Sequence, residues 1–144
     1  MTGRQEWLGL LATSNPQTLA ALWADTGMAP DYVMLRKAET GSVMVRGRAG
    51  SVGKAFNLGE MTVTRASLRL ADGTVGHGWC QGRNRKQAET AALLDALMQG
   101  PNAARLERAV FQPLRNARTE RRRTRAEKAA ATKVDFFTMA RGDS

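Results

Sequence analysis

The stretch that decides the fold is residues 60–81: Glu60-Met61-Thr62-Val63-Thr64-Arg65-Ala66-Ser67-Leu68-Arg69-Leu70-Ala71-Asp72-Gly73-Thr74-Val75-Gly76-His77-Gly78-Trp79-Cys80-Gln81. In its first half Thr62, Thr64, Ala66, Leu68 and Leu70 alternate with Met61, Val63, Arg65, Ser67 and Arg69, the period of two of a strand with one buried face. Asp72-Gly73 is a hairpin signal, because a type I′ turn needs positive φ at both central residues. Thr74 to Gln81 is the returning strand.

Upstream, Tyr32 to Ala38 and Ser42 to Arg48 read as two further strands around a turn at Glu39-Thr40-Gly41, with Val43 and Val45 on one face. The segment before them reads as two short helices. Gly3 to Ala12 places Trp7, Leu10 and Leu11 at helical spacing, and Ser14-Asn15-Pro16-Gln17 starts a second helix. Either Ser14 caps it with Gln17 as reciprocal partner, or Asn15 caps it with Pro16 as first helical residue. Its stripe is Leu19, Leu22 and Trp23, and Gly27 with Pro30 ends it.

Downstream, Asn84 opens a helix whose close-packing face is Ala88, Ala91, Ala92, Leu94 and Leu97, stopped by Gly100-Pro101. The last helix starts near Asn102 with Leu106, Val110, Phe111 and Leu114, and Pro113 is expected to kink or split it. From Arg115 to Ala131 it has no apolar face for a core and should project into solvent or onto a partner. The expected fold is therefore α+β, an antiparallel four-stranded sheet with two N-terminal helices and C-terminal helices. Residues 1–101 form the core, 102–131 a basic helix, and 132–144 an apolar tail.

The chain has 144 residues, 22 Lys plus Arg against 13 Asp plus Glu, and a net charge of +9. One domain is the expectation. There is no apolar run long enough for a membrane span or a signal peptide, so a cytoplasmic protein is expected. Between Asn102 and Lys128 nine basic residues face three acids, Glu107, Glu120 and Glu127, so a net +6 sits in one segment. Such a segment attracts polyanions or an acidic protein face.

Motifs for catalysis are scarce. Gly47 to Ala55 imitates a phosphate loop but has five residues between Gly47 and Gly53 and Ala55 in place of the metal-binding hydroxyl, so it reads as a flexible connection. His77 lacks an orienting carboxylate or a nucleophile nearby in sequence and reads as a structural or interface histidine. Cys80, the single cysteine, cannot form an internal disulfide or a cysteine metal cluster. No catalytic, cofactor-binding or metal-ligating residue is assigned. Arg65, Arg69, Arg83, Arg85 and Lys86 are the candidate anion patch, if they converge near the sheet end and the helix start. Val134, Phe136, Phe137, Met139 and Arg141 are the candidate partner interface, because adjacent aromatics in a tail want burial, either folded back on the chain's own sheet or docked on another subunit. The turn Arg83 to Lys86 with its Ala-rich helix also resembles the last strand and helix of double-stranded-RNA-binding domains. Against that stand Glu89 where a lysine is wanted, four strands in place of three, and two helices before the sheet.

The run Thr64 to Gly76, continued by Trp79, Gln81-Gly82-Arg83, Ala88-Glu89 and Asp95-Ala96-Leu97, resembles the PhnG family, the G subunit of the bacterial carbon–phosphorus lyase core complex. The tail Val134-Asp135-Phe136-Phe137-Thr138-Met139-Ala140-Arg141-Gly142 resembles its C-terminal signature, and Ala38-Glu39-Thr40-Gly41 its first hairpin. The likeness covers nearly the whole chain and is weakest from Asn102 to Lys128. It implies an accessory, non-catalytic subunit working with the H, I and J subunits, closest to the I subunit. The implied reaction forms alpha-D-ribose 1-methylphosphonate 5-triphosphate from MgATP and methylphosphonate with release of adenine, in phosphonate catabolism. MgATP is then a substrate of the complex, the iron–sulfur cluster belongs to the J subunit, and this chain carries no cofactor. A stand-alone basic RNA-binding domain is the alternative.

Overall fold

The computed structural model describes residues 3–48 and 55–142, with side chains throughout except at 46–48, 55–58 and 134–142. Helix α1 (Arg4–Ala12) leads into α2 (Pro16–Asp25), whose start is set by Asn15. The Asn15 Oδ1 accepts from the N–H groups of Gln17 at 2.9 Å and Thr18 at 3.0 Å, and Pro16, which has no N–H to satisfy, is the first helical residue. Ser14 does not cap; its hydroxyl donates back to the Leu11 carbonyl at 2.7 Å. At the far end of α2 the Arg105 guanidinium donates to the Thr26 carbonyl at 2.6 Å, a positive group where the helix dipole is negative.

The sheet has three strands, not four. β1 (Tyr32–Arg48), β2 (Ala55–Leu70) and β3 (Val75–Gln81) lie antiparallel in the order β1-β2-β3. The expected turn at Glu39-Thr40-Gly41 is absent: these residues pair with Arg65, Thr64 and Val63, and Gly41 is not among the glycines of positive φ. Thr40 Oγ1 also lies 3.0 Å from Thr64 Oγ1, which in turn donates to the Gly82 carbonyl at 2.8 Å. β2 extends back to Ala55, five residues before the expected start at Glu60, and so offers the second half of β1 a long-range ladder that outcompetes a local hairpin. The local misfit is absorbed by register shifts between Met34 and Arg36, Arg36 and Glu39, and Val45 and Arg46. The chain reverses instead between Arg48 and Ala55, which pair. The expected flexible Gly-rich connection falls mostly on residues 49–54, outside the described residues.

The Asp72-Gly73 hairpin forms, but only Gly73 takes positive φ (+94°), with its N–H on the Leu70 carbonyl at 3.0 Å. Asp72 instead accepts the Thr74 N–H through Oδ1 at 2.9 Å.

Helix α3 (Arg85–Met98), capped by Asn84 Oδ1 on the Gln87 N–H at 2.9 Å, lies on the face of the sheet that carries Thr64, Ala66, Leu68 and Cys80. It approaches β3 so closely that a Cβ at Gly76 would stand 2.0 Å from the Ala92 carbonyl oxygen, and one at Gly78 2.3 Å from the Ala92 nitrogen. Gln87, buried, fastens this helix to the α1–α2 corner by donating to the carbonyls of Ser14 at 2.9 Å and Leu11 at 3.2 Å.

After α4 (Ala103–Leu106) comes a π-helical turn, Glu107–Phe111, and then α5 (Gln112–Gly142). Pro113 lies inside one uninterrupted helical run from Ala103 to Gly142, directly after the π-helical turn, so its missing N–H falls where the regular hydrogen-bond ladder is already widened. Leu106, Val110, Phe111 and Leu114 are buried in one core with Leu10, Leu11, Leu19, Leu68 and Leu94. From Thr119 to Lys133 every side chain is exposed.

Candidate functional site

The candidate anion residues fall on two surfaces. Arg65 and Arg69 are exposed on the face of β2 away from α3, opposite Trp79 and Val75 of β3. Arg83, Arg85 and Lys86 are exposed where β3 passes into α3, the other end of β3 from Val75. Val134, Phe136, Phe137, Met139 and Arg141 are on the last turns of α5, and their side chains lie outside the described residues.

His77 shares the open face with Arg65 and Arg69. Its Nδ1 is 2.8 Å from Ser67 Oγ on the facing strand, a cross-strand pair in solvent. Among the described residues no carboxylate accepts from its ring, so the orienting partner of a catalytic imidazole is missing. Cys80 is buried, donates to the Asn84 carbonyl at 3.3 Å, and has its thiol pKa pushed up by burial, the reverse of a reactive thiolate. Among the described residues no group of His, Cys, Asp and Glu could hold a metal ion, and no helix is long and apolar enough to cross a membrane.

Among the described residues, Asp95 is the most elaborately partnered acid. Fully buried on α3, it accepts from Arg4 Nε at 3.0 Å, Arg4 Nη2 at 2.7 Å, Trp7 Nε1 at 2.8 Å and the His77 backbone N–H at 2.8 Å. Both oxygens are occupied, so this carboxylate is a clamp between α1, α3 and β3 and not a general base. The Arg4 guanidinium is held protonated more firmly by the same hydrogen bonds. The sequence carried one signal for it, an acid in the middle of an apolar helix face.

A groove of about 810 Å³ lies between α5 and α1, lined by Arg118, Arg121, Arg122, Arg125 and Thr124 on one side and Gly9, Thr13 and Gln81 on the other. The arginines recur at i, i+3, i+4 and i+7, one face of a helix. That period was readable in the sequence, but the opposing wall was not. The acids of this region are engaged elsewhere: Glu6 and Glu107 on Arg115, and Glu120 and Glu127 on Arg123. Arg118 alone of the four lies within electrostatic reach of Glu6.

Residues 2–142 match the model of the family described as phosphonate metabolism protein PhnG. The chain is also 41% identical over 140 residues to the alpha-D-ribose 1-methylphosphonate 5-triphosphate synthase subunit PhnG of Rhizobium meliloti (strain 1021), covering 97% of this chain and 90% of that protein. The chain belongs to the PhnG family. Nothing in these likenesses favours the RNA-binding alternative. The correction to three strands removes one objection to it, but a strand count does not carry a function.

In this member of the family the two edges of the sheet are treated differently. On the outer edge of β3, Asp95 takes the His77 N–H and Gln99 Nε2 donates to the Val75 carbonyl at 2.9 Å. Among the described residues, no hydrogen bond outside the strand ladder reaches the backbone of β1. β1 also exposes Tyr32, Val33, Leu35 and Met44, the last three at more than half of their surface. An open, 17-residue edge with apolar side chains is a template for another chain.

Proposed function

We propose that this chain is an accessory, non-catalytic subunit of the synthase that forms alpha-D-ribose 1-methylphosphonate 5-triphosphate from MgATP and methylphosphonate with release of adenine. It works in the cytoplasm, in phosphonate catabolism, with the H, I and J subunits of the carbon–phosphorus lyase core complex. The observation that carries this reading is the 41% identity, over 97% of the chain, to a protein named as a subunit of that synthase. Two features of the fold support it. The β1 edge leaves apolar residues and backbone groups for a neighbour, and among the described residues α5 beyond Leu114 buries no large apolar side chain.

The chemistry is assigned to other subunits. This chain has a single cysteine, Cys80, too few for an iron–sulfur centre, and its Ser67–His77 pair has no carboxylate on the imidazole among the described residues. Val134, Phe136, Phe137 and Met139 are the segment proposed to dock on the I subunit, with Arg141 beside them, and Arg65, Arg69, Arg83, Arg85 and Lys86 remain candidate anion contacts.

The test is co-expression with the H, I and J subunits, mass determination of what co-purifies, and an assay of adenine release from MgATP and methylphosphonate. A stable complex containing this chain, with adenine release lost when the chain is omitted, is expected. Full adenine release without it would overturn the reading. A chain truncated after Thr132 is expected to lose its place in the complex, and undiminished co-purification would remove the tail from the interface.

A further inference from the structure

We propose that the groove between α5 and α1 is a binding site for a triphosphate group. Its wall on α5 presents four guanidinium groups from Arg118, Arg121, Arg122 and Arg125 within two turns. Placing them so sets like charges at the neighbouring separations 118/121, 118/122, 121/125 and 122/125, an arrangement that weakens an isolated helix. A surface helix normally answers such charges with acids at the same spacings. Here Glu120 and Glu127 are turned to Arg123, and among the described residues the side chains of Arg121, Arg122 and Arg125 have neither a hydrogen bond nor an ion pair.

The rest of the lining points to an oxyanion. Gln81, Thr13 and Thr124 add carboxamide and hydroxyl donors, and no carboxylate lines the groove. Guanidinium groups bind phosphate oxygens through paired N–H donors, so several on one wall suit several phosphates in a row. Positions i to i+7 extend about 10 Å along the helix at 1.5 Å per residue. That is the reach of a chain of phosphates and more than one phosphate needs. A triphosphate carries about four negative charges near neutral pH, judged from phosphate second ionisations near 6, enough to answer Arg121, Arg122 and Arg125 together with Arg118, which Glu6 answers only in part. The groove's 810 Å³ is within the range of small-molecule sites. It is bounded by α1 and the end of β3, which favours a short anion over the continuous basic track of an RNA-binding surface.

The inference stands on the groove and does not depend on the synthase reading. It is tested on the purified full chain by titration calorimetry at low salt with inorganic tripolyphosphate, ATP without metal, orthophosphate, a ten-residue polyglutamate and a ten-nucleotide RNA. Tripolyphosphate is expected to bind at least tenfold more tightly than orthophosphate, and Arg121→Gln with Arg125→Gln is expected to weaken it at least tenfold. Arg123→Gln, on the acid-paired face, should change it less than twofold, and circular dichroism should show all variants equally helical. ATP binding as tightly as tripolyphosphate supports the site with a nucleotide as source; tripolyphosphate binding alone supports it with free polyphosphate as source. No binding of either, a loss equal in Arg123→Gln, or tighter binding of polyglutamate or RNA through the same arginines would each overturn it. Failure of co-assembly with the H, I and J subunits would leave these titrations unaffected, so the two readings fail separately.

Discussion

Arg4 and Asp95, 91 residues apart, are joined by two parallel hydrogen bonds, Nε to Oδ1 at 3.0 Å and Nη2 to Oδ2 at 2.7 Å. The pair closes the molecule, because Asp95 is fully buried while the Arg4 side chain is 44% exposed at the rim. The two ends of the bond should therefore respond differently to mutation. Asp95→Ala strands the Trp7 and His77 donors beside a cavity and is expected to cost several kcal/mol, at about 1–3 kcal/mol for each buried donor left without a partner. Arg4→Ala lets water reach the carboxylate and should cost about 1–2 kcal/mol, near the value of a charged hydrogen bond. Urea unfolding of the two variants measures the order, and equal losses would contradict the clamp.

Gly76 and Gly78 let α3 lie against β3. A methyl group at Gly78 would meet the Ala92 nitrogen at 2.3 Å and the Ala88 carbonyl oxygen at 2.4 Å, both rigid backbone. Gly78→Ala is expected to destabilise by about 1–3 kcal/mol, the cost of overpacking. Gly41→Ala, where nothing lies within 4 Å of the added carbon, should be neutral or slightly stabilising. Thermal melts of the pair compare close approach with a strand glycine in open space.

Glu6 provides a pH dependence. Hydrogen bonds from Arg115 hold its carboxyl below the ordinary 4.5, and the same contacts raise the Arg115 pKa further above its usual range. A depressed folded-state pKa means that the unfolded chain takes up a proton first as pH falls. The contribution is full above about pH 4.5 and is lost as pH drops through the lower folded value. Stability measured from pH 7 to 2.5 should fall below pH 4.5, and Glu6→Gln should flatten that limb while lowering stability at pH 7.

The open edge of β1 makes a prediction for assembly. Val33→Lys and Leu35→Lys place charges on residues already about half exposed, so folding should be unchanged within about 0.5 kcal/mol, as for most surface substitutions. Lysine on an edge strand blocks further pairing. Co-purification with the H, I and J subunits is expected to drop severalfold while the melting temperature of the isolated chain holds. Retention of normal co-purification would show that the complex does not use this edge.

Much of this chain is determined locally. Period-two alternation in residues 60–70, the Asn15 and Asn84 caps, the Asp72-Gly73 turn and the Ala-rich face of α3 each depend on neighbours a few residues away, and each is visible in the sequence. The absence of large apolar residues from Arg115 to Ala131 likewise foretold a helix without a core face. What only the tertiary structure decided involves partners distant in the chain. Glu39-Thr40-Gly41 has turn composition, yet a long β2 supplies it with Arg65, Thr64 and Val63, and the ladder's hydrogen bonds override the local preference. Arg4 and Asp95 share a clamp because α1 folds back over the end of α3, and the arginines of α5 face a groove because Gly9, Thr13 and Gln81 are brought opposite them. Local sequence fixes which backbone conformation costs least; which side chains then meet depends on how the chain closes its core, and that is set by burial summed over the whole molecule.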